Sequence, residues 1–180
     1  MNRLAEDWFE FKGWKPYPFQ RNSWKAIDKG YSGLLNAPTG CGKTFAIWFG
    51  IIADYQKRNL EAKKKTSGLH CLWITPLRAL SKEIFNAATG VSEDLELPYR
   101  IGLRTGDTSP SERAKQQRKW PEALITTPES VHIMMAQKGY ADTFKHLEFV
   151  IVDEWHELMG SKRGVLVELA LCILKQINPA

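Results

Sequence analysis

The feature that most constrains the fold is a glycine-rich loop, Ala37-Pro38-Thr39-Gly40-Cys41-Gly42-Lys43-Thr44. Residues 32–36 before it have the pattern of a short strand, and the residues from Phe45 onward have that of an apolar helix. A glycine-rich loop between a strand and a helix favours phosphate binding, because inward-pointing N–H groups and the helix N-terminus both attract anions. The strict pattern opens with glycine, and Ala37 stands at that position here.

Each residue type in this loop has a distinct expected role. Gly40 and Gly42 allow a tight turn, and the Lys43 ammonium brings a charge to the outer phosphates of a nucleoside triphosphate. The Thr44 hydroxyl is expected to coordinate Mg²⁺. An ordinary glycine-rich turn before a helix is the alternative interpretation. The predicted nucleotide-binding residues in the loop are Thr39, Gly40, Cys41, Gly42, Lys43 and Thr44.

The composition indicates a folded protein whose charge permits binding to a polyanion. The chain has 180 residues, 43% of them hydrophobic, which is enough for one domain with a buried core. Its net charge of +5 permits contact with a polyanion without requiring it. The basic cluster at 57–65 has the pattern of a solvated loop, whereas the cluster at 113–119 fits a solvated or a binding role equally well.

The cysteines and the apolar runs bear on the compartment. Cys41, Cys71 and Cys172 are scattered, without Cys-x-x-Cys or zinc spacing, which is typical of a reducing compartment. The sequence shows no secretory signal and no apolar run long enough for a membrane span. We therefore expect a soluble, cytoplasmic protein.

Apolar runs alternate with helical segments along the rest of the chain. The helical patterns include residues 20–29 and 79–88, and the strand patterns are 69–74, 98–103, 123–126 and 149–152. Such alternation predicts an α/β fold, in which a mostly parallel central sheet has helices on both faces.

The last of these strands runs directly into Asp153-Glu154-Trp155-His156. An acidic pair after an apolar strand, downstream of a phosphate loop, predicts ATP hydrolysis. Asp153 would hold Mg²⁺ through its water shell, and Glu154 would orient or deprotonate the attacking water. An exposed acidic turn after a core strand is common by itself, so the pattern gains its meaning from the phosphate loop.

Five segments occur in the order that is found in one family. Asp153-Glu154-Trp155-His156 resembles the DExH box of superfamily-two helicases, with the phosphate loop upstream. Residues 75–80 resemble motif Ia of that family, residues 104–108 motif Ic, and residues 126–130 motif Ib. The resemblance implies a RecA-like P-loop domain, the ATP-binding motor domain of an ATP-dependent DNA helicase or translocase.

Two further stretches narrow the resemblance. Residues 157–164 are similar to the Lhr-type (large helicase-related) group, and the aromatic opening at 14–20 is similar to its ligase-associated bacterial branch. The resemblance implies a role in DNA repair. It also implies three partners: single-stranded nucleic acid, a second RecA-like domain of the parent chain, and repair proteins such as a ligase.

The motifs also supply residues for gripping a nucleic-acid backbone. Each pairs a strand end with a hydroxyl or basic residue at a helix start, which offers N–H groups, a helix dipole and a charge to one phosphate. Arg78 is the strongest candidate, while residues 127–130 fit a capped helix start equally well. Phosphate gripping does not distinguish DNA from RNA, so only the resemblance favours DNA. The predicted strand-binding residues are Thr75, Pro76, Arg78, Thr105, Gly106, Thr127 and Ser130.

The resemblance gives Gln20 and His156 specific roles. Gln20 corresponds to the Q motif, whose amide makes two hydrogen bonds to adenine while an upstream aromatic ring stacks on the base. Trp14 or Tyr17 could supply that ring, or these aromatics could simply pack the N-terminal helix onto the sheet. His156 is expected to couple the ATP site to the strand, since a neutral imidazole both donates and accepts.

The sequence lacks parts that the family uses. Related proteins bind ATP between two RecA-like domains, and arginines of the second domain stabilise the transferring phosphate. The Ser-Ala-Thr motif III, whose strand lies between those of the phosphate loop and the acidic pair, does not occur in the 180 residues. We expect residues 1–180 to be an N-terminal RecA-like domain truncated before motif III, with weak nucleotide binding and little turnover on its own.

Other functions fit parts of the pattern. A P-loop ATPase that does not act on nucleic acid would share the loop and the acidic pair, but a transporter's Leu-Ser-Gly-Gly-Gln motif is absent and the threonine-rich motifs would have no role. A pure binding module is disfavoured by Lys43, Asp153 and Glu154. An RNA helicase domain remains open.

Overall fold

The computed structural model describes residues 2–38, 40–61 and 68–179. Its contacts divide the chain into two compact units, residues 1–66 and 67–180. In the described parts of the chain, no helix is both long and apolar enough to span a membrane.

The described residues of the first unit form three helices, α1 (Arg3–Phe11), α2 (Pro18–Asp28) and α3 (Lys43–Glu61). Helix α2 packs along α3, and the interior is aromatic. Trp8, Phe9 and Trp24 are buried, and the ring of each lies within 6.0 Å of the Phe49 ring, measured between centroids. Much of the aromatic N-terminal segment is therefore the core of this unit.

Residues 31–38 form neither helix nor strand, although the sequence predicts a strand at 32–36. A strand needs a neighbour to satisfy its backbone N–H and C=O groups, and no strand among the described residues pairs with this segment. Its expected neighbour is the strand of motif III, which these 180 residues do not contain. The side chain of Leu34 is accordingly 87% exposed.

The second unit contains a four-stranded parallel sheet in the order β2-β3-β1-β4. Its strands are β1 (Cys71–Ile74), β2 (Ile101–Arg104), β3 (Ala123–Thr126) and β4 (Phe149–Val152). Ile74 pairs with both Thr126 and Val152, and Arg104 pairs with Thr126. The carboxyl ends of all four strands are therefore level, at one edge of the sheet.

Between residues 68 and 179, six helices follow or connect these strands. They are α4 (Arg78–Asp94), α5 (Pro110–Arg118), α6 (Pro128–Met135), α7 (Tyr140–Phe144), α8 (Trp155–Leu158) and α9 (Lys162–Ile177). Helix α4 packs on β2 and β3, while α6, α7 and α8 pack on α9. The predicted helix at 79–88 is thus longer in the structure.

Both faces of the sheet are covered. Leu72, Ile74 and Leu124 point to one face, in a core cluster with residues of α6 and α9. Trp73 and Ile125 alternate with them and are also buried. Because successive strand residues point to opposite faces, burial of both sets confirms the predicted parallel sheet with two covered faces.

Candidate functional sites

The phosphate loop has the backbone geometry that its glycines predict. Gly40 and Gly42 have φ angles of 81° and 79°, in the left-handed region that other residues rarely adopt. Helix α3 begins directly after them at Lys43, whose Nζ donates to the Ala37 carbonyl oxygen at 2.9 Å. Thr39 lies outside the described residues.

Gln20 connects the start of α2 to this loop. Its side chain is 1% exposed. Its Oε1 accepts from the Tyr17 backbone N–H at 2.8 Å, and its Nε2 donates to the Gly42 carbonyl oxygen at 3.0 Å. Both ends of the amide therefore already hold backbone groups of the first unit.

Two aromatic rings near Gln20 are candidates for stacking on a base. Trp14 is 52% exposed and packs against the rings of Trp8 and Phe45. Tyr17 is 55% exposed and stacks on Phe19, with 5.9 Å between ring centroids. Since each ring has an exposed part as well as packed contacts, the packing role and the stacking role are compatible.

The acidic pair follows β4 in an unusual backbone conformation. Asp153 Oδ2 accepts from Trp73 Nε1 at 3.3 Å, and its Oδ1 accepts from the Glu154 N–H at 2.9 Å. Glu154 has φ 48° and ψ 45°, a left-handed conformation that costs a residue with a Cβ roughly 1–2 kcal/mol. Such strain is typical of functional sites.

His156 lies between two carboxylates. Its Nδ1 is 3.4 Å from Glu154 Oε2, and its Nε2 is 3.3 Å from Glu157 Oε1. The imidazole side chain is 69% exposed. His156 is therefore in contact with Glu154 and accessible at the same time, as a coupling residue requires.

No group of three or more His, Cys, Asp or Glu side chains that could hold a metal occurs among the described residues. This finding does not conflict with the expected Mg²⁺ ligands, Thr44 and Asp153. Mg²⁺ on a nucleotide usually keeps several waters and binds one or two protein groups plus the phosphates, so it needs no such cluster.

The carboxyl ends of the β-strands are level, and they bring together at one cavity the three motifs that are predicted to bind a nucleic-acid strand. We call it the three-motif cavity. Its volume is about 390 Å³. Motif Ia follows β1, motif Ic follows β2 and motif Ib follows β3. The lining residues are Pro76, Arg78, Gly106, Thr127, Glu129, Ser130, Ile133 and Arg163.

The Arg78 side chain lies against the loop of motif Ic. Its Nη1 donates to Asp107 Oδ1 at 2.8 Å, in a pair whose side chains are 64% and 70% exposed. The guanidinium also lies against Gly106, because a Cβ at that position would be 3.0 Å from Arg78 Nη2. The charge is thus accessible and loosely held, as a phosphate ligand requires.

Helix α6 begins at the cavity, and its N-cap side chain does not bond to the helix backbone. Thr127 occupies the N-cap position, but its hydroxyl donates to Ser130 Oγ at 3.2 Å and makes no bond to the helix backbone. Pro128 lies in the first turn. Residues 127–130 therefore form the predicted helix start, and anion binding at this N-terminus stays a prediction.

A model of the DEAD/DEAH box helicase family matches residues 17–179. The chain belongs to the DEAD/DEAH box helicase family. Its relatives include an Lhr helicase and probable uracil glycosylase of Mycolicibacterium smegmatis, with 34% identity over 97% of this chain and 12% of that protein. The ATP-dependent helicase Lhr-Core of Saccharolobus solfataricus is also 34% identical, over 94% of this chain and 20% of that protein. This chain therefore spans about an eighth to a fifth of the length of these relatives.

Solved structures agree with this membership. The chain matches the Mycobacterium smegmatis helicase Lhr bound to ssDNA and AMP-PNP with a TM-score of 0.74 and 32% identity, over 97% of this chain and 23% of that one. The helicase MrfA bound to DNA and AMPPNP matches with a TM-score of 0.81, and its 19% identity supports the fold alone. These matches confirm the predicted RecA-like fold and the Lhr-type resemblance.

Two predicted strand-binding residues of this helicase-family chain lie away from the cavity surface. Thr75 is fully buried, and its Oγ1 has no hydrogen-bond partner among the described residues. Thr105 is 6% exposed, and its Oγ1 accepts from the Asp107 N–H at 3.3 Å. In this conformation the Thr105 hydroxyl stabilises the loop of motif Ic through this hydrogen bond.

The sequence alone did not reveal several residues around the cavity of the helicase-family chain. Arg113 belongs to the basic cluster of open role, and its Nη2 donates to the carbonyl oxygens of Thr105 and Gly106 at 3.2 and 3.0 Å. It thereby braces motif Ic. Glu129 and Arg163 line the cavity as an ion pair. A sequence motif does not show which residues far apart in the chain come into contact in the fold.

Proposed function

We propose that this chain is the ATP-binding motor domain of a helicase or translocase that acts on single-stranded nucleic acid. The three-motif cavity carries the proposal, because it gathers Arg78, Gly106, Thr127 and Ser130 from three separate motifs. Similarity to the Lhr structure with ssDNA and AMP-PNP supports it. The grip is on the backbone and not on bases, since cationic and helix-start groups contact phosphates.

On this proposal, the first unit takes the phosphates of ATP. Lys43 would leave the Ala37 carbonyl for the outer phosphates, and the N–H groups at Gly40, Cys41, Gly42 and the start of α3 would surround them. Thr39, whose placement is not described, would belong to the same loop. Gln20 would contact adenine with the N–H and lone pair that its two backbone bonds leave over.

The hydrolytic roles fall to the residues after β4 and to Thr44. Thr44 and Asp153 would hold Mg²⁺, which when bound neutralises charge on the phosphates. Glu154 would orient or deprotonate the attacking water. Through its contact with Glu154, His156 would couple the ATP site to the motifs that bind the nucleic-acid strand.

The further roles rest on the family resemblance. We propose that residues 1–180 form the first RecA-like domain of a longer cytoplasmic protein whose second RecA-like domain completes the ATP site. DNA as the substrate, DNA repair as the process and a ligase as a partner extend the same resemblance. An RNA strand is the alternative, and paired titrations with oligo-dT and oligo-rU of equal length distinguish the two.

A salt titration tests the strand-binding proposal. With two to four phosphates neutralised, log affinity for a single strand should fall against log salt with a slope of roughly −1.4 to −2.8. Arg78→Gln should reduce the steepness by about 0.7, one phosphate's share. Arg3→Gln, which removes an exposed cation of α1 that does not line the cavity, is the matched control. Binding that is indifferent to salt would refute the proposal.

A further inference from the structure

Arg163 brings a second cation to the three-motif cavity from a segment outside motifs Ia, Ic and Ib. It lies in the first turn of α9, just after the acidic box, and lines the cavity together with Arg78. Its side chain is 37% exposed. Two arginines from distant parts of the chain thus reach the same concave surface.

The backbone beneath Arg163 is fixed by its neighbours. Ser161 Oγ accepts from the Gly164 N–H at 3.1 Å, as a helix cap, and donates to the Leu158 carbonyl oxygen at 2.7 Å. A Cβ at Gly164 would overlap that same carbonyl oxygen. The turn between α8 and α9 therefore holds its shape without help from the Arg163 side chain.

Glu129 holds only one edge of the Arg163 guanidinium. Arg163 Nε donates to Glu129 Oε1 at 2.5 Å, and Nη2 donates to Oε2 at 3.2 Å. Arginine has five N–H groups in a rigid fork, and within the described residues Nη1 of Arg163 makes no hydrogen bond. One edge is paired and oriented, and the other edge remains available to a ligand.

The ion pair is charged at neutral pH. Partial burial is the largest single effect and raises the pKa of Glu129. The hydrogen bond and the charge of Arg163, together with hydrogen bonds from the Glu129 backbone and from Thr127, outweigh it and keep the pKa of Glu129 below its usual value. An arginine whose first edge is neutralised by a carboxylate can still bind a phosphate oxygen with its second edge.

We propose that Arg163 is a second phosphate ligand for the single strand, and that Glu129 is the positioning residue that orients its guanidinium. The ligand class is a backbone phosphodiester, and the inference rests on the strand-binding function proposed above. Arg78 and Arg163 then grip the backbone from the helix that follows β1 and from the helix that follows the acidic box.

The test is a salt titration of binding between the intact protein and a fluorescently labelled oligo-dT. Arg163→Gln should reduce the steepness of log affinity against log salt by about 0.7. Lys162→Gln removes an exposed cation one residue away that does not line the cavity, and should leave the slope unchanged. Arg163→Lys should keep the slope but weaken binding several-fold, because a single ammonium cannot replace the two edges of the fork.

The slopes and affinities of these variants decide whether Arg163 binds the strand. An unchanged slope in Arg163→Gln, or an equal loss in Lys162→Gln, would overturn the role of Arg163 while leaving strand binding intact. Wild-type affinity in Arg163→Lys would do the same, and this variant carries the test if thermal unfolding shows that Arg163→Gln does not fold. If wild-type protein shows no salt-dependent binding, the proposed function itself fails.

Discussion

At the scale of one residue, Gly42 occupies a position of the phosphate loop that has no room for a side chain. Its φ is 79°, and a Cβ there would lie 2.7 Å from Gln20 Nε2. Gly40 has a similar φ of 81° but open space around its missing Cβ. The two glycines therefore share a backbone requirement, and only Gly42 adds a steric one.

Replacing each glycine with alanine separates these two requirements. Gly40→Ala should carry backbone strain alone, roughly 1–2 kcal/mol for a left-handed residue with a Cβ. Gly42→Ala should weaken nucleotide binding more, because it also displaces the Gln20 amide. Titration with a fluorescent ATP analogue measures the difference. Equal losses in the two variants would contradict the steric role of Gln20.

Gly106 has a comparable role in the strand-binding cavity. Its backbone is not strained, but the Arg78 guanidinium rests where a side chain would be. Gly106→Val should push the guanidinium aside and weaken oligo-dT binding several-fold, while the free energy of unfolding changes by no more than about 0.5 kcal/mol, as at ordinary surface sites. A variant that binds normally would show that Arg78 does not need this position.

At the scale of elements, apolar runs predicted two strands with their bounds. The runs at 123–126 and 149–152 are both strands, the first fully and the second partly buried, because a covered parallel strand is a near-continuous apolar run. The predicted strand at 32–36 did not form, because strand formation also depends on a neighbour that a local pattern cannot supply. Similarly, the motifs identified Arg78 and residues 127–130, but not the Glu129–Arg163 pair.

Helices α1 and α2 are joined by an ion pair that makes stability depend on pH. Arg21 donates to both oxygens of Glu6, at 2.6 and 2.8 Å, and these hydrogen bonds lower the pKa of Glu6. A carboxylate with a lowered folded-state pKa stabilises the protein above its unfolded pKa. That stability is lost as the pH falls through the folded-state value.

Glu6→Gln should therefore lower the unfolding temperature at pH 7, and the difference from wild type should vanish in acid, below the lowered pKa of Glu6. Glu10→Gln on the exposed face of the same helix is the control and should show little difference at either pH. Thermal unfolding followed by circular dichroism measures both. A difference for Glu6→Gln that persists in acid would assign its cause to packing.

At the scale of the whole molecule, register explains how distant motifs become one site. The four strands end level, so Thr75, Thr105 and Thr127 follow neighbouring strands at one sheet edge. The helices and loops that begin there converge on the three-motif cavity. Motif order in the sequence predicted the family and its parallel sheet, whereas the cavity itself depends on a strand order that no local pattern contains.

The proposed function requires that nucleotide binding and single-strand binding are coupled in one motor. Titration of a fluorescent ATP analogue into the full-length protein that contains residues 1–180, with and without oligo-dT, measures this coupling for wild type, Lys43→Ala and Arg78→Gln. Single-stranded DNA should raise nucleotide affinity or turnover in wild type. Lys43→Ala should lose nucleotide binding, and Arg78→Gln should keep it but lose the response to DNA. If DNA changes neither affinity nor turnover in wild type, the account is contradicted.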